Sequence, residues 1–191
     1  MKNRLDKQLE FLTEADKLKS TLRATQLCDG SRRENSGEHS WHIALYAMTL
    51  AEHANRPINI SRVIKMLLIH DLVEIDAGDV PIHGDHDVDL QNKIEQRAAD
   101  RIFGLLPEDQ YKEYRDLWDE FEAAQTDDAV FAKSIDRVQP VVSNLETDGG
   151  SWTEFNVTPE QLEFRVGVKV KRGAPGVWDV LQSRIADYFC K

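Results

Sequence analysis

Val63-Ile64-Lys65-Met66-Leu67-Leu68-Ile69-His70-Asp71 decides how this chain reads. An apolar run broken by one lysine belongs to a buried element, and here it ends on an imidazole beside a carboxylate. Burying those two groups is costly unless they bind something. Glu74 follows one helical turn later, and Gly78-Asp79 comes just after it. Upstream, Glu38-His39-Ser40-Trp41-His42 supplies another histidine; downstream, Lys133-Ser134-Ile135-Asp136-Arg137 supplies another acid. His39, His70, Asp71 and Asp136 thus form a candidate ligand set for a metal ion, and a metal-activated water is its expected product.

Neighbours on a helix diverge by about 100°, so His70 and Asp71 do not stack, yet both can converge on an ion between their directions. His39 and Asp136 would come from two other helices and close the site inside a bundle. Two imidazoles and two carboxylates suit Mn, Fe, Co, Ni or Zn and leave positions for water and substrate. Such an ion acidifies water and offsets charge on a phosphoryl oxygen. Alone, the His70-Asp71 pair reads equally well as a helix-ending histidine beside an acid; the flanking residues move the reading to metal.

The neighbouring residues keep two readings each. Glu74 can face the same cavity, to orient water, shuttle protons or hold a second ion, or it is a solvated acid. Asp79 follows a glycine that can bend the backbone toward a ligand, but Asp after Gly is also ordinary turn chemistry. Arg23, read as the end of the first helix, reaches an anion or simply suits a helix C-terminus; Arg32 and Arg33 are equally open. Lys133 contacts a phosphate or pairs with an acid. His42 reads as a hydrogen-bonded core histidine, His83 and His86 as solvated, and Trp41, Trp118, Trp152 and Trp178 as core.

The length of 191 residues fits one domain, residues 1–191, with the metal-site core at about 20–140. A net charge of −10, from 34 acids against 24 Lys and Arg, disfavours a nucleic-acid polymer as partner. It still admits a small phosphorylated ligand in a locally cationic pocket. Cys28 and Cys190 fit a reducing compartment and build no Cys-rich zinc site. The charged start Met1-Lys2-Asn3-Arg4 leads into no apolar segment, and no stretch approaches a membrane span. The expectation is a cytoplasmic protein with no membrane partner.

Apolar spacing is mostly helical, so the fold class is all-α. Helices are expected at about 3–21, 37–55, from Asn59 or Ser61 through the His-Asp pair, 88–104, 107–124, 127–146 and 176–190. Trp41, Leu45, Met48 and Ala51 are assigned to the buried face of the second, and 76–89 to a loop. Leu162, Phe164, Val166, Val168 and Val170 alternate like a strand, but Thr158-Pro159-Glu160-Gln161 resembles a capping box and favours a short helix.

With these residues in view, the chain resembles the HD-domain phosphohydrolases, especially the small single-domain branch of 5′-deoxynucleotidases. The matching stretches are Arg32 to His42, Leu68 to Asp79 and Ala132 to Arg137. The resemblance implies an HD-domain helical bundle in which His39, His70, Asp71 and Asp136 bind one divalent ion. It makes Glu74 and Asp79 the catalytic acids and Arg23 the residue that orients the substrate phosphate. Val80, after that aspartate, joins Arg23 at the substrate; in some relatives it is assigned with both acids to a second ion. Where one bacterial branch has a tryptophan after the arginine, this chain has Ala24, which bears on deoxyribose selectivity. The expected activity is metal-dependent hydrolysis of (deoxy)nucleoside 5′-monophosphates, in a chain that pairs as a homodimer. The alternatives are hydrolysis of a triphosphate, cyclic nucleotide or alarmone, or a nonhydrolytic nucleotide sensor on the same fold.

Overall fold

Side-chain caps set several helix starts in this protein. A computed structural model describes residues 2–84 and 86–190. Asn3 and Asp6 form a capping box on α1 (Arg4–Ala15), which tightens into a 3₁₀ turn over Asp16–Ser20. The chain then forms a hairpin of β1 (Leu22–Gln26) and β2 (Arg33–Asn35), antiparallel, with Leu22 opposite Asn35 and Gln26 opposite Arg33. Asn35 ends the hairpin and caps α2 (Ser36–Leu50) in a reciprocal box with Glu38.

Asn59 caps α3 (Ile60–Ile69), and the helix tightens to 3₁₀ over His70–Val73 before α4 (Glu74–Ala77). Gly78 stops α4 at φ 74°, a conformation a side chain resists. After a loop come α5 (Val88–Phe103), α6 (Glu108–Ala123) and α7 (Asp127–Glu146). The remaining helices are α8 (Gly150–Glu154), α9 (Pro159–Leu162), α10 (Val168–Gly173) and α11 (Pro175–Phe189), with a π turn at Glu163–Gly167. Among the described residues, no helix is long and apolar enough to cross a membrane.

The helical expectation holds, with the hairpin added to it. Central α7 buries Phe131, Ala132, Ile135, Val138 and Val141, and α2, α3, α6, α10 and α11 pack around it. Over Leu162–Val170 the buried apolar side chains are Leu162, Val166 and Val170, four apart, while Phe164 and Val168 are exposed. Helical spacing therefore prevails over alternation, as the Thr158–Gln161 capping box requires.

Three expectations change. Trp41, Leu45 and Met48 lie outside, 62%, 45% and 58% exposed, and Ala51 is half-buried. The inward face of α2 carries His39, Ser40, Ile43, Ala44 and Ala47, whose small members let α2 approach α3 and α7 closely. His42 is half-buried rather than core: its ring stacks on Trp41 and meets Tyr46 edge-on. Arg23 lies on β1, not on a helix end.

Candidate metal centre

Three helical segments converge beneath the hairpin's buried side chains. Inward-facing α2 brings His39, the 3₁₀ turn after α3 brings His70 and Asp71, and α7 brings Asp136; all four are buried. Ligand atoms of His39, His70 and Asp136 lie within 4.8 Å of one another. Asp136 Oδ1 is 3.1 Å from His39 Nε2 and 3.7 Å from His70 Nε2, and Asp71 Oδ1 is 2.8 Å from His70 Nε2. A 3₁₀ turn advances each residue by about 120°, yet the Asp71 side chain reaches back beside its neighbour's ring.

Both imidazoles are fixed from behind. His70 Nδ1 donates to the Leu67 carbonyl at 2.8 Å, so in the neutral ring Nε2 carries the lone pair. Gln139 Nε2 donates to Glu34 Oε2 (3.0 Å) and Ser143 Oγ (3.2 Å), which leaves Gln139 Oε1 to accept from His39 Nδ1 at 3.0 Å. His39 Nε2 is thereby also the lone-pair nitrogen. His70 Nε2 is buried with no hydrogen-bond partner. Two lone pairs aimed at carboxylate oxygens repel unless protons or a metal cation stand among them, and a divalent ion fits that donor set.

The electrostatics point the same way. Burial alone would push the His70 pKa down, but the Asp71 and Asp136 carboxylates override it and lift it to about 10. His39 is raised too, as Asp136 and Glu34 outweigh burial and Arg23. Burial disfavours ionised Asp136, yet Arg137 and both imidazoles hold it well below the usual carboxylate range. This cluster demands positive charge.

Arg23 forms a second focus. Only 8% exposed, its Nη1 is 2.9 Å from Asp71 Oδ2, 3.3 Å from Asp79 Oδ1 and 3.6 Å from Glu74 Oε1, with Nε 3.4 Å from Glu34. Ser36 Oγ donates to Glu74 Oε2 at 2.5 Å. Burial and the neighbouring Asp71 charge raise Glu74 well above its ordinary pKa, and Asp79 is raised as well, burial and Asp71 outweighing Arg23. A carboxyl that retains its proton can deliver one. Both acids, with Val80, line the same cavity of about 870 Å³ as His70, Asp71 and Asp136.

The other sequence candidates separate. Lys133 pairs with Glu122 at 2.9 Å and lies over the Phe121 ring, while lining the cavity. Arg32 and Arg33 pair outside it with Glu38 and Glu154. His83 is not solvated: half-buried on the cavity wall, it is driven down to about 4 by burial and by Arg165 and Arg137. Trp118, Trp152 and Trp178 are core, Trp41 is not. Glu34, Ser36 and Gln139 were not anticipated. Gln139 follows Asp136 by three residues on one helix face, the signal that could have found it. Gln139→Leu is expected to weaken divalent-ion affinity about 10- to 100-fold by freeing the His39 ring. Competition against a chelating dye measures this, and unaltered affinity would contradict it.

A family model described as "HD domain" matches residues 15–178. The human protein named 5′-deoxynucleotidase HDDC2 is 28% identical over 139 residues, 72% of this chain and 67% of its own length. Its Danio rerio namesake is 26% identical over 181 residues, 94% of this chain and 86% of its own length. A crystal structure described as a predicted metal-dependent phosphohydrolase from Magnetospirillum magnetotacticum MS-1 superposes with a TM-score of 0.93 at 46% identity. It covers 98% of this chain, which covers 93% of it. With the matched span running from the end of α1 into α11 and taking in the His-Asp turn, the chain belongs to the HD domain family.

Proposed function

We propose that this protein is a metal-dependent phosphomonoesterase that hydrolyses (deoxy)nucleoside 5′-monophosphates to nucleoside and phosphate. His39, His70, Asp71 and Asp136 would hold one divalent ion of the Mn, Fe, Co, Ni or Zn group. When bound, such an ion offsets charge on a phosphoryl oxygen and lowers the pKa of water. Arg23 orients the substrate phosphate at the cavity and keeps Asp71, Glu74 and Asp79 from repelling one another. Glu74 and Asp79 divide the positioning of the attacking water and the protonation of the departing 5′-oxygen. Val80 contributes apolar wall beside them. A second ion at Glu74 and Asp79 would have to displace the Arg23 guanidinium, 3.6 and 3.3 Å away, so we assign one.

The observation that carries this reading is the pair of ring nitrogens turned toward Asp136, next to two acids whose pKa values burial and Asp71 raise. Phosphate release from a nucleotide panel with Mn, Co or Zn tests it. Glu74→Gln should lower kcat about 10²- to 10⁴-fold with metal content unchanged. Bound metal without turnover of any nucleotide would contradict the reading and favour a nonhydrolytic sensor. Products other than nucleoside and phosphate would move it to a triphosphate, cyclic nucleotide or alarmone.

The proposal includes a cytoplasmic location, supported by the free thiols Cys28 and Cys190, and a homodimer. Support for pairing comes from Trp41, Leu45 and Met48 along one outward face of α2. Light scattering should return twice the chain mass and Trp41→Asp the single mass; a monomeric unmodified protein would contradict pairing.

A further inference from the structure

The chain carries a net charge of −10, yet the cavity wall supplied by α7 and α10 is cationic. Lys133 and Arg137 stand one turn apart on α7, and the Ser134 hydroxyl between them donates to the Lys169 carbonyl at 3.1 Å, locking α10 against that turn. All three cations line the cavity that holds His70, Asp71 and Asp136. Lys133 has its acid, Glu122, at 2.9 Å. The other two are poorly matched. Arg137 Nε is enclosed without a hydrogen-bond partner among the described residues, and its one close acid, Asp136 at 3.6 Å, is a proposed ion ligand. Among the described residues the Lys169 ammonium has no ion pair or hydrogen bond. Burial, then Arg137 and Lys133, lower Lys169 to about 8, so these cations are near enough to repel.

Setting the exposed Lys169 beside half-buried Lys133 and Arg137 on one cavity wall is unfavourable unless an anion is to sit among them. On the reading above, one phosphomonoester already has its cationic partners in Arg23 and the ion. Arg137 and Lys169 exceed that need. We propose that Arg137 and Lys169 form a second anion subsite, which takes a second phosphate carried by the same substrate. The inference rests on the cavity being a nucleotide phosphohydrolase site and extends its substrate class from 5′-monophosphates to nucleotides that carry a second phosphate. That second phosphate can sit on the sugar or extend the 5′ chain; either presents the same dianion to the guanidinium and ammonium.

The test is calorimetric titration of the full metal-loaded chain, in a Glu74→Gln background so that nucleotide is not consumed. The probes are deoxyadenosine 5′-monophosphate, its 3′,5′-bisphosphate and its 5′-diphosphate. We expect one two-phosphate nucleotide to bind at least about tenfold tighter than the monophosphate. A winning bisphosphate puts the second group on the sugar; a winning diphosphate puts it in the chain. Adding Lys169→Gln or Arg137→Gln should bring the affinity ratio toward one, and Lys169→Arg should retain it. Equal affinities for all three probes, or a ratio that both glutamine variants leave intact, would overturn the proposal. Because the readout is binding, a protein that hydrolyses nothing but keeps the ratio refutes the hydrolase reading alone. One that hydrolyses monophosphates without discriminating in binding refutes the second subsite alone.

Discussion

Asp136→Asn is expected to fold, to lose its divalent ion, and to release phosphate at least about 10³-fold more slowly, equivalent to about 4 kcal/mol of transition-state stabilisation. Asp136 is the carboxylate that approaches both imidazoles, at 3.1 and 3.7 Å. Arg137 and those imidazoles keep it ionised against the effect of burial. Asparagine preserves its shape but presents a neutral amide oxygen, and a hard or borderline cation binds that far more weakly. Metal analysis after gel filtration, together with phosphate release, reads the effect. Thermal unfolding in chelator, expected to differ by only a few degrees, separates it from misfolding. A variant that keeps both ion and activity would show that Asp136 is no ligand.

Arg23→Met is expected to cost about 3–5 kcal/mol of stability, because it leaves several buried carboxylates without their shared cation. Four acids, Glu34, Asp71, Glu74 and Asp79, lie within 3.6 Å of this one guanidinium. For a chain of this length the loss should lower Tm by roughly 6–20 °C. Saturating divalent metal should recover part of it, since an ion held by Asp71 neutralises one of the acids and binds only the folded protein. Arg23→Lys should fall between, keeping a charge but losing the planar donor fork. Calorimetric melting of the three proteins with and without metal measures these differences. A Tm for Arg23→Met equal to that of the unmodified protein would mean that the acids share their protons without needing Arg23.

The sequence exposed the helices well because their caps and apolar periods agree. Asn35 with Glu38, Asn59, Thr126, and Thr158 with Gln161 each mark a helix start where the structure has one. The hairpin escaped notice for a physical reason: its buried positions are Arg23, Thr25 and Glu34, polar residues that a hydrophobic period cannot register. Those same side chains form the back of the site, so missing the strands meant missing Glu34. The face of α2 was misassigned because large apolar residues were placed inward. In the structure, close approach of α2 to α3 and α7 favours Ala44, Ala47 and Ser40 there, and pushes Trp41, Leu45 and Met48 outward. His39, His70, Asp71 and Asp136 stood out since paired imidazole and carboxylate in apolar surroundings need an explanation. Gln139, which orients His39, and Ser36, which donates to Glu74, are ordinary in sequence and acquire meaning only from what they touch.

The account depends on one cation gathered by residues from α2, the turn after α3, and α7. Anomalous diffraction from a crystal of the protein grown with manganese tests this most directly. The account predicts a single strong peak per chain, within coordination distance of His39, His70, Asp71 and Asp136 together. A peak confined to Glu74 and Asp79, or no peak in the cavity at saturating metal, would contradict it.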